Sequence, residues 1–337
     1  MSCSQGNEKI LKKPISSTEQ FVIDKLMTKD KLLRTDLTQQ KSVYLSESVG
    51  LWLTYLLEKD DQVRFNEQFE VMNDYFLEKK FIVWRIDGKK QASVNALIDD
   101  FRIIQALMEA GEKWNDKRYI ALGKTLGKNL VKYGMLENTF VDYVDVHTHQ
   151  QANTITLSYI MPSALSQMRQ YKLISKAQLK HQLAILANAP KAKVGYFPKY
   201  YDVVTKSYEY DTELHMIDQL YTAYHSATVG LETKDFSNWL LSLYSRDEKL
   251  YGRYDAKTGE PAVPFESPAV YALATCYMLE IHNDEMAAHF YQKMESLKVK
   301  ANSGYVDPQT KATHIFDNLL PLLAEREVDD ANSNKME

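Results

Sequence analysis

Apolar residues recur at spacings of three and four along almost the whole 337-residue chain. That period belongs to helices with one buried face, so the chain can fold only by packing helix on helix. The pattern is clear in "TEQFVIDKLMTKDKLL", "ESVGLWLTYLLEKD", "NALIDDFRIIQALMEAGEKW", "TELHMIDQLYTAYHSATV" and "ESPAVYALATCYMLEIH". It predicts about twelve helices with short Gly, Pro, Asn and Asp punctuation between them. Some segments, such as "AVYALATCYMLEI" and "SVGLWLTYLLE", are apolar on most sides; others, such as "KRYIALGKTLGKNLVKY", carry charge on one face. Enclosed helices alternating with half-exposed ones suit an all-α fold of two concentric layers, or a solenoid of helix pairs. No fixed-period repeat is present, which argues against a consensus array. The stretches near 134–160 and 190–210 lack a helical period, and long irregular segments in a compact protein are usually functional.

Charge removes one class of partner. The chain has 45 acidic and 41 basic residues, a net charge of −4, and its basic residues are scattered. Nucleic acid binding therefore has no electrostatic basis. Two cysteines, Cys3 and Cys276, cannot build a disulfide framework. Cys276 lies in an apolar run and reads as a buried thiol. No apolar run is long enough to span a bilayer. The polar start "MSCSQGNEKILKKPISSTEQ" places Cys3 where a bacterial lipoprotein carries its lipidated cysteine and flexible tether. Cys3 is thus a lipidation candidate, with a frayed terminus as the plainer reading. The expected division is a tether over 1–16, one barrel over 17–327 and a disordered tail over 328–337.

Three acidic positions open helical segments. Ser46 reads as an N-cap with Glu47 in the first turn, where the helix dipole favours a carboxylate. Asp99 and Asp100 follow Asn95, a second candidate cap. Asp211 precedes a third helix as its own candidate cap. Each is explained by a helix start alone. Tyr196, Phe197, Tyr200, Tyr201, Tyr208 and Tyr210 crowd around Asp211, and aromatic faces beside carboxylates suit sugar rings. His147 and His149 form an isolated H-x-H without further ligands, so no metal site and no cofactor are expected. G-x-S-x-G, P-loop and G-x-G-x-x-G motifs are all missing.

Read in order, these segments resemble glycoside hydrolase family 8. Ser46-Glu47-Ser48-Val49-Gly50 resembles the family's S-E-G-x-G, and "ALIDDFRIIQALMEAGEKW" resembles its A-T-D-A-D-L segment. "FNEQFEVMNDYFLEKKFIVWRID", which lies between these two, and "LSYIMPSAL", "GYFPKYYD", "YEYDTEL" and "RYDAKTGEP", which follow them, are similar to further family stretches. The ordered series covers roughly residues 40–285.

The resemblance implies an (α/α)6 barrel and an inverting hydrolase of a β-linked polysaccharide. It assigns Glu47 as general acid and Asp211 as general base. Asp100, with Asp99, would hold the sugar, and Trp52, Trp84, Tyr159, Tyr196, Tyr208 and Tyr210 would line the subsites. It needs no cofactor and no partner but the polysaccharide, and a monomer suffices. Departures at Ser48, Ile98 and Leu214 point away from plain cellulose. With the lipoprotein-like start they suggest a bacterial exopolysaccharide, degraded outside the cell by an enzyme anchored to the outer face of its membrane. A non-catalytic polysaccharide binder on the same barrel, and a helical scaffold for another protein, are the alternatives.

Overall fold

The computed structural model describes residues 15–299 and 304–334. Its helices are α1 (Ser17–Phe21), α2 (Ser46–Glu58), α3 (Gln62–Val71), α4 (Leu97–Lys113), α5 (Lys117–Tyr133) and α6 (Pro162–Gln170). They continue with α7 (Lys176–Ala187), α8 (Met216–Ala227), α9 (Lys234–Asp247), α10 (Pro268–Glu280), α11 (Asp284–Ser296) and α12 (Phe316–Asn334). The even-numbered helices close a ring. α2 packs on α4, α4 on α6 and on the short turn Leu157–Tyr159, that turn on α8, α8 on α10, α10 on α12, and α12 back on α2. The odd-numbered helices lie outside: α3 on α2, α5 on α4, α7 on α6, α11 on α10 and α1 on α12. α9 reaches α10 through the Phe236 and Tyr277 rings, 5.5 Å apart. This is the (α/α)6 barrel, and it excludes the solenoid. The last helix runs through the expected tail as far as Asn334, while Cys3 lies outside the described residues.

The two layers differ in how their helices begin. Among the outer helices, Ser16, Asp61, Asp116, Ser175 and Asn283 each accept a backbone N–H with the side chain at the N-cap. Ser175 forms a full capping box with Gln178. The inner helices α2, α4, α6, α8 and α10 follow Leu45, Ala96, Met161, His215 and Ser267, none of which makes a side-chain cap bond. Their first N–H groups are therefore left for other acceptors.

Short strands fill the irregular stretches. Thr154–Thr156, Tyr200–Asp202 and Ser207–Glu209 form one antiparallel sheet with Ile155 opposite Tyr201 and Tyr201 opposite Tyr208. Gly195 carries φ +118°, and a Cβ there would meet the Asp235 carbonyl oxygen at 2.3 Å, so only glycine lets this loop lie on α9. One buried polar cluster ties the layers. Glu19 of α1 accepts from Tyr55 of α2 at 2.7 Å, pairs with Arg64 of α3 at 2.6 Å and also holds Lys59.

Candidate active site

The N-terminal ends of the inner helices meet at one end of the barrel, around an open groove of about 650 Å³. α2 contributes Glu47, α4 Ile98 and Arg102, and the turn before α6 Ser158 and Tyr159. His215 and α8 contribute with Ile217, Asp218 and Tyr221, α10 with Val270, and α12 with Phe316 and Asp317. An acid stands in the first turn of α2, α4, α8 and α12: Glu47, Asp99 and Asp100, Asp218 and Asp317. Uncapped N–H groups and aligned peptide dipoles favour negative charge at this end.

Glu47 is held by a short strand and by a chain of contacts to α4. Val43–Leu45 pairs antiparallel with Arg85–Asp87, which fixes where α2 starts. The Ser46 amide donates to the Trp84 carbonyl at 3.0 Å, and its Oγ donates to Asp99 Oδ2 at 2.6 Å. Asp99 Oδ1 accepts from Arg102 Nη1 at 3.2 Å, and the same nitrogen lies 3.9 Å from Glu47 Oε1. The Arg102 guanidinium also stacks 5.1 Å from the Tyr221 ring centre. Gly50 allows this approach, since a Cβ there would meet Arg102 Cβ at 3.1 Å.

Enclosure dominates the acidity of Glu47. Although 28% of its side chain faces the groove, burial pushes its carboxyl up to about 7. Asp99 adds repulsion, Arg102 opposes it, and Asp218 and Asp317 raise the value further. Burial also lifts Asp99 above the ordinary carboxylate range, against the pull of Arg102 and Ser46. A carboxyl titrating near 7 can hold a proton at neutral pH and release it to a leaving group.

Asp218 forms another wall of the groove. Its Oδ1 accepts from Ser158 Oγ at 2.9 Å, and its Oδ2 lies 3.9 Å from His215 Nδ1. Burial lowers the affinity of His215 for a proton. Asp317 accepts from Ser267 Oγ at 2.5 Å and from the Ala269 amide at 3.2 Å, so α12 supplies an acceptor for an uncapped N–H of α10.

The residues expected from sequence fall into two groups. Glu47 and Tyr159 line the groove, and Asp99 supports Glu47 from beneath. The others lie elsewhere. Asp100 turns into a buried knot with Asn95, whose side-chain oxygen accepts from the Val144 amide at 2.6 Å. Trp52 is 1% exposed and stacks on Tyr55 in the core. Trp84 stands behind Ser46, joined to it through its backbone carbonyl. Asp211 is in the loop before α8, paired with Lys199 Nζ at 2.6 Å, and does not line the groove. Tyr208 and Tyr210 donate to the carbonyls of Ile185 and Pro190, and Tyr196 lies edge-on to Tyr210. His149 stacks on Tyr133 at 3.9 Å.

All three expected caps are corrected by the structure. The N-cap positions are Leu45, Ala96 and His215. Ser46 bonds Asp99 instead, Asn95 bonds Asp100, and Asp211 lies well before its helix. Sequence reasoning missed Asp218, Arg102, His215, Tyr221 and Asp317. The signal that identifies Asp218 is the one used for Glu47, an acid in the first turn of an enclosed helix. Starting α8 too early concealed it.

The description of glycosyl hydrolases family 8 matches residues 12–223 of this chain. The chain belongs to family 8. It is therefore a glycoside hydrolase of an inverting family. It is 37% identical over 335 residues to "Putative lipoprotein YdaJ" of Bacillus subtilis (strain 168), covering 98% of this chain and 91% of that one. Among solved structures, PssZ from Listeria monocytogenes superimposes with a TM-score of 0.78 at 27% identity, covering 93% of this chain and 96% of that one. A novel alpha-amylase from Clostridium perfringens gives a TM-score of 0.83 at 23% identity, with 92% and 96% covered. At that identity the likeness to the amylase is one of fold.

Proposed function

We propose that this family 8 enzyme cleaves glycosidic bonds by a single displacement with Glu47 as general acid and Asp218 as general base. Inversion needs a protonated carboxyl at the leaving oxygen and an ionised one holding water on the opposite face of the sugar, about 6.5–9.5 Å away. The observation that carries the assignment is that Glu47 and Asp218 line one groove, with Glu47 pushed up to about 7 by burial. Asp218, oriented by Ser158 and His215, takes the role that sequence had given to Asp211. In this reading Asp99 and Arg102 hold the Glu47 carboxyl in place, and Tyr159 and Phe316 flank the sugar.

The substrate we propose is a β-linked bacterial exopolysaccharide, met outside the cell by an enzyme anchored through Cys3. The lipoprotein name of the Bacillus relative supports the anchor. No helix among the described residues is long and apolar enough to cross a membrane. The test is product release from purified exopolysaccharide, from a β-1,4-glucan and from an α-1,4-glucan, with the product anomer read by NMR. Wild type is expected to release the inverted anomer from the β-linked polymer, with Glu47→Gln and Asp218→Asn inactive and Asp211→Asn active. Loss of activity in Asp211→Asn with retention in Asp218→Asn reverses the assignment of the base. Cleavage of the α-glucan alone overturns the substrate.

A further inference from the structure

Below the groove, the barrel lumen continues into a second cavity of about 290 Å³. Arg102 and Tyr221 line both spaces and form the partition between them. The walls of the lower cavity are largely aliphatic, with Leu51, Leu57, Met161, Leu273, Leu320 and Leu323. Three carboxyl groups also line it, from Glu58, Glu109 and Glu327. None of the three is in an ion pair among the described residues. Glu109 accepts from Gln105 at 2.8 Å, whereas the buried Oε2 of Glu58 has no hydrogen-bond partner.

His225, 4% exposed, lines the same cavity. It bonds the Ser158 backbone, and its Nδ1 has no partner. Burial holds the imidazole down to about 3, so it is neutral and its free nitrogen is an acceptor. A buried acceptor without a donor costs free energy that a ligand can recover.

We propose that this lower cavity is a binding site for a small organic cation, an ammonium group carried on a compact apolar body. The polar groups named here offer acceptors: three carboxyls and the bare imidazole nitrogen. The nearby cations are committed elsewhere. Arg102 serves Asp99, Glu47 and Tyr221, and Arg326, which faces Glu58, pairs with Asp329 and Asp330 at 3.0 and 2.9 Å. Without a ligand, burial and the neighbouring Glu327 lift Glu58 to about 8. An ammonium group supplies the counter-charge that lets it ionise. The aliphatic walls take the apolar body of such a cation while the carboxyls and the imidazole take its ammonium group. The volume lies at the lower limit of small-molecule pockets, which calls for a ligand smaller than drug size.

Methyl-labelled methionine in the intact protein reports occupancy through Met161, whose signal is assigned with Met161→Leu. Cyclohexylammonium, cyclohexanol and cyclohexanecarboxylate serve as probes of one shape and three charges. The ammonium ion is expected to shift the Met161 signal saturably, about tenfold tighter than the alcohol, and the carboxylate not at all. Glu58→Gln and Glu327→Gln each weaken the ammonium about tenfold, with the other methionine signals unchanged as proof of fold. Glu47→Gln leaves the titration as in wild type, which separates this site from the groove. Equal binding of ammonium and alcohol, insensitivity to both glutamine substitutions, or no saturable shift overturns the proposal.

Discussion

At the groove end of the lumen, Glu47, Asp218 and Asp317 stand in the first turns of inner helices, at the positive ends of the peptide dipoles. Beyond the partition, Glu58 is the last residue of α2 and Glu109 is in the final turns of α4, beside the carbonyl ends of their helices. The chemical group is the same, and the helix dipole acts with opposite sign on it. Burial lifts Glu47 to about 7 despite the helpful dipole and Arg102. It lifts Glu58 to about 8 at the unfavourable end of the dipole, with Glu327 adding repulsion and Arg326 offsetting part of the rise. The comparison shows that enclosure sets the size of the shift and the local cation trims it. A third carboxylate completes the series. Glu19, wholly enclosed, meets Lys59, Arg64 and Tyr55, and it serves the fold.

The comparison can be broken by removing each carboxylate in turn, and the largest effect belongs to the groove. Glu47→Gln and Asp218→Asn should each lower kcat by about 10²–10⁴ with the fold intact, measured as sugar release alongside circular dichroism. Glu19→Gln should do the reverse. It leaves Lys59 and Arg64 without full compensation, lowers stability by about 3–5 kcal/mol in urea unfolding, and spares kcat in the folded fraction. Glu58→Gln should raise stability by about 1 kcal/mol at pH 8 and change nothing at pH 4. The sign follows from linkage. The folded carboxyl holds its proton up to about 8 and the unfolded one loses it near 4.5, so the penalty is absent below the lower value and grows with pH between the two. The smallest effect is a shift in a pH profile. kcat should fall as pH rises through about 7, where Glu47 gives up its proton. Arg102→Met removes the charge that opposes this and should move the limb upward.

The fold was legible because helical periodicity survives any tertiary context, and the enclosed and half-exposed segments map onto the inner and outer rings. α10 is the clearest case, apolar on all sides and packed between α8, α11 and α12. Within the site, Glu47 was legible because its motif and its place in the first turn agree. Asp218 was not, because the start of α8 is set by the short strand Glu213–His215 pairing with Arg253–Asp255. That is a long-range contact no local signal records. The expected caps failed for a related reason. In the outer ring, the polar residue before the helix closes it in every case but α9, where Thr233 makes no side-chain cap bond. In the inner ring, Ser46 and Asn95 are drawn to the neighbouring Asp99 and Asp100, and neither caps its helix.

Gly50 turns the spacing of two helices into a chemical quantity. The acid rides on α2 and its balancing guanidinium on α4, and the absence of a single methyl group at Gly50 sets how near they come. Gly50→Ala would separate the helices by a few tenths of an ångström and weaken the attraction of Arg102 that opposes enclosure. The pH at which this enzyme surrenders its proton is therefore a ruler laid across the α2–α4 seam.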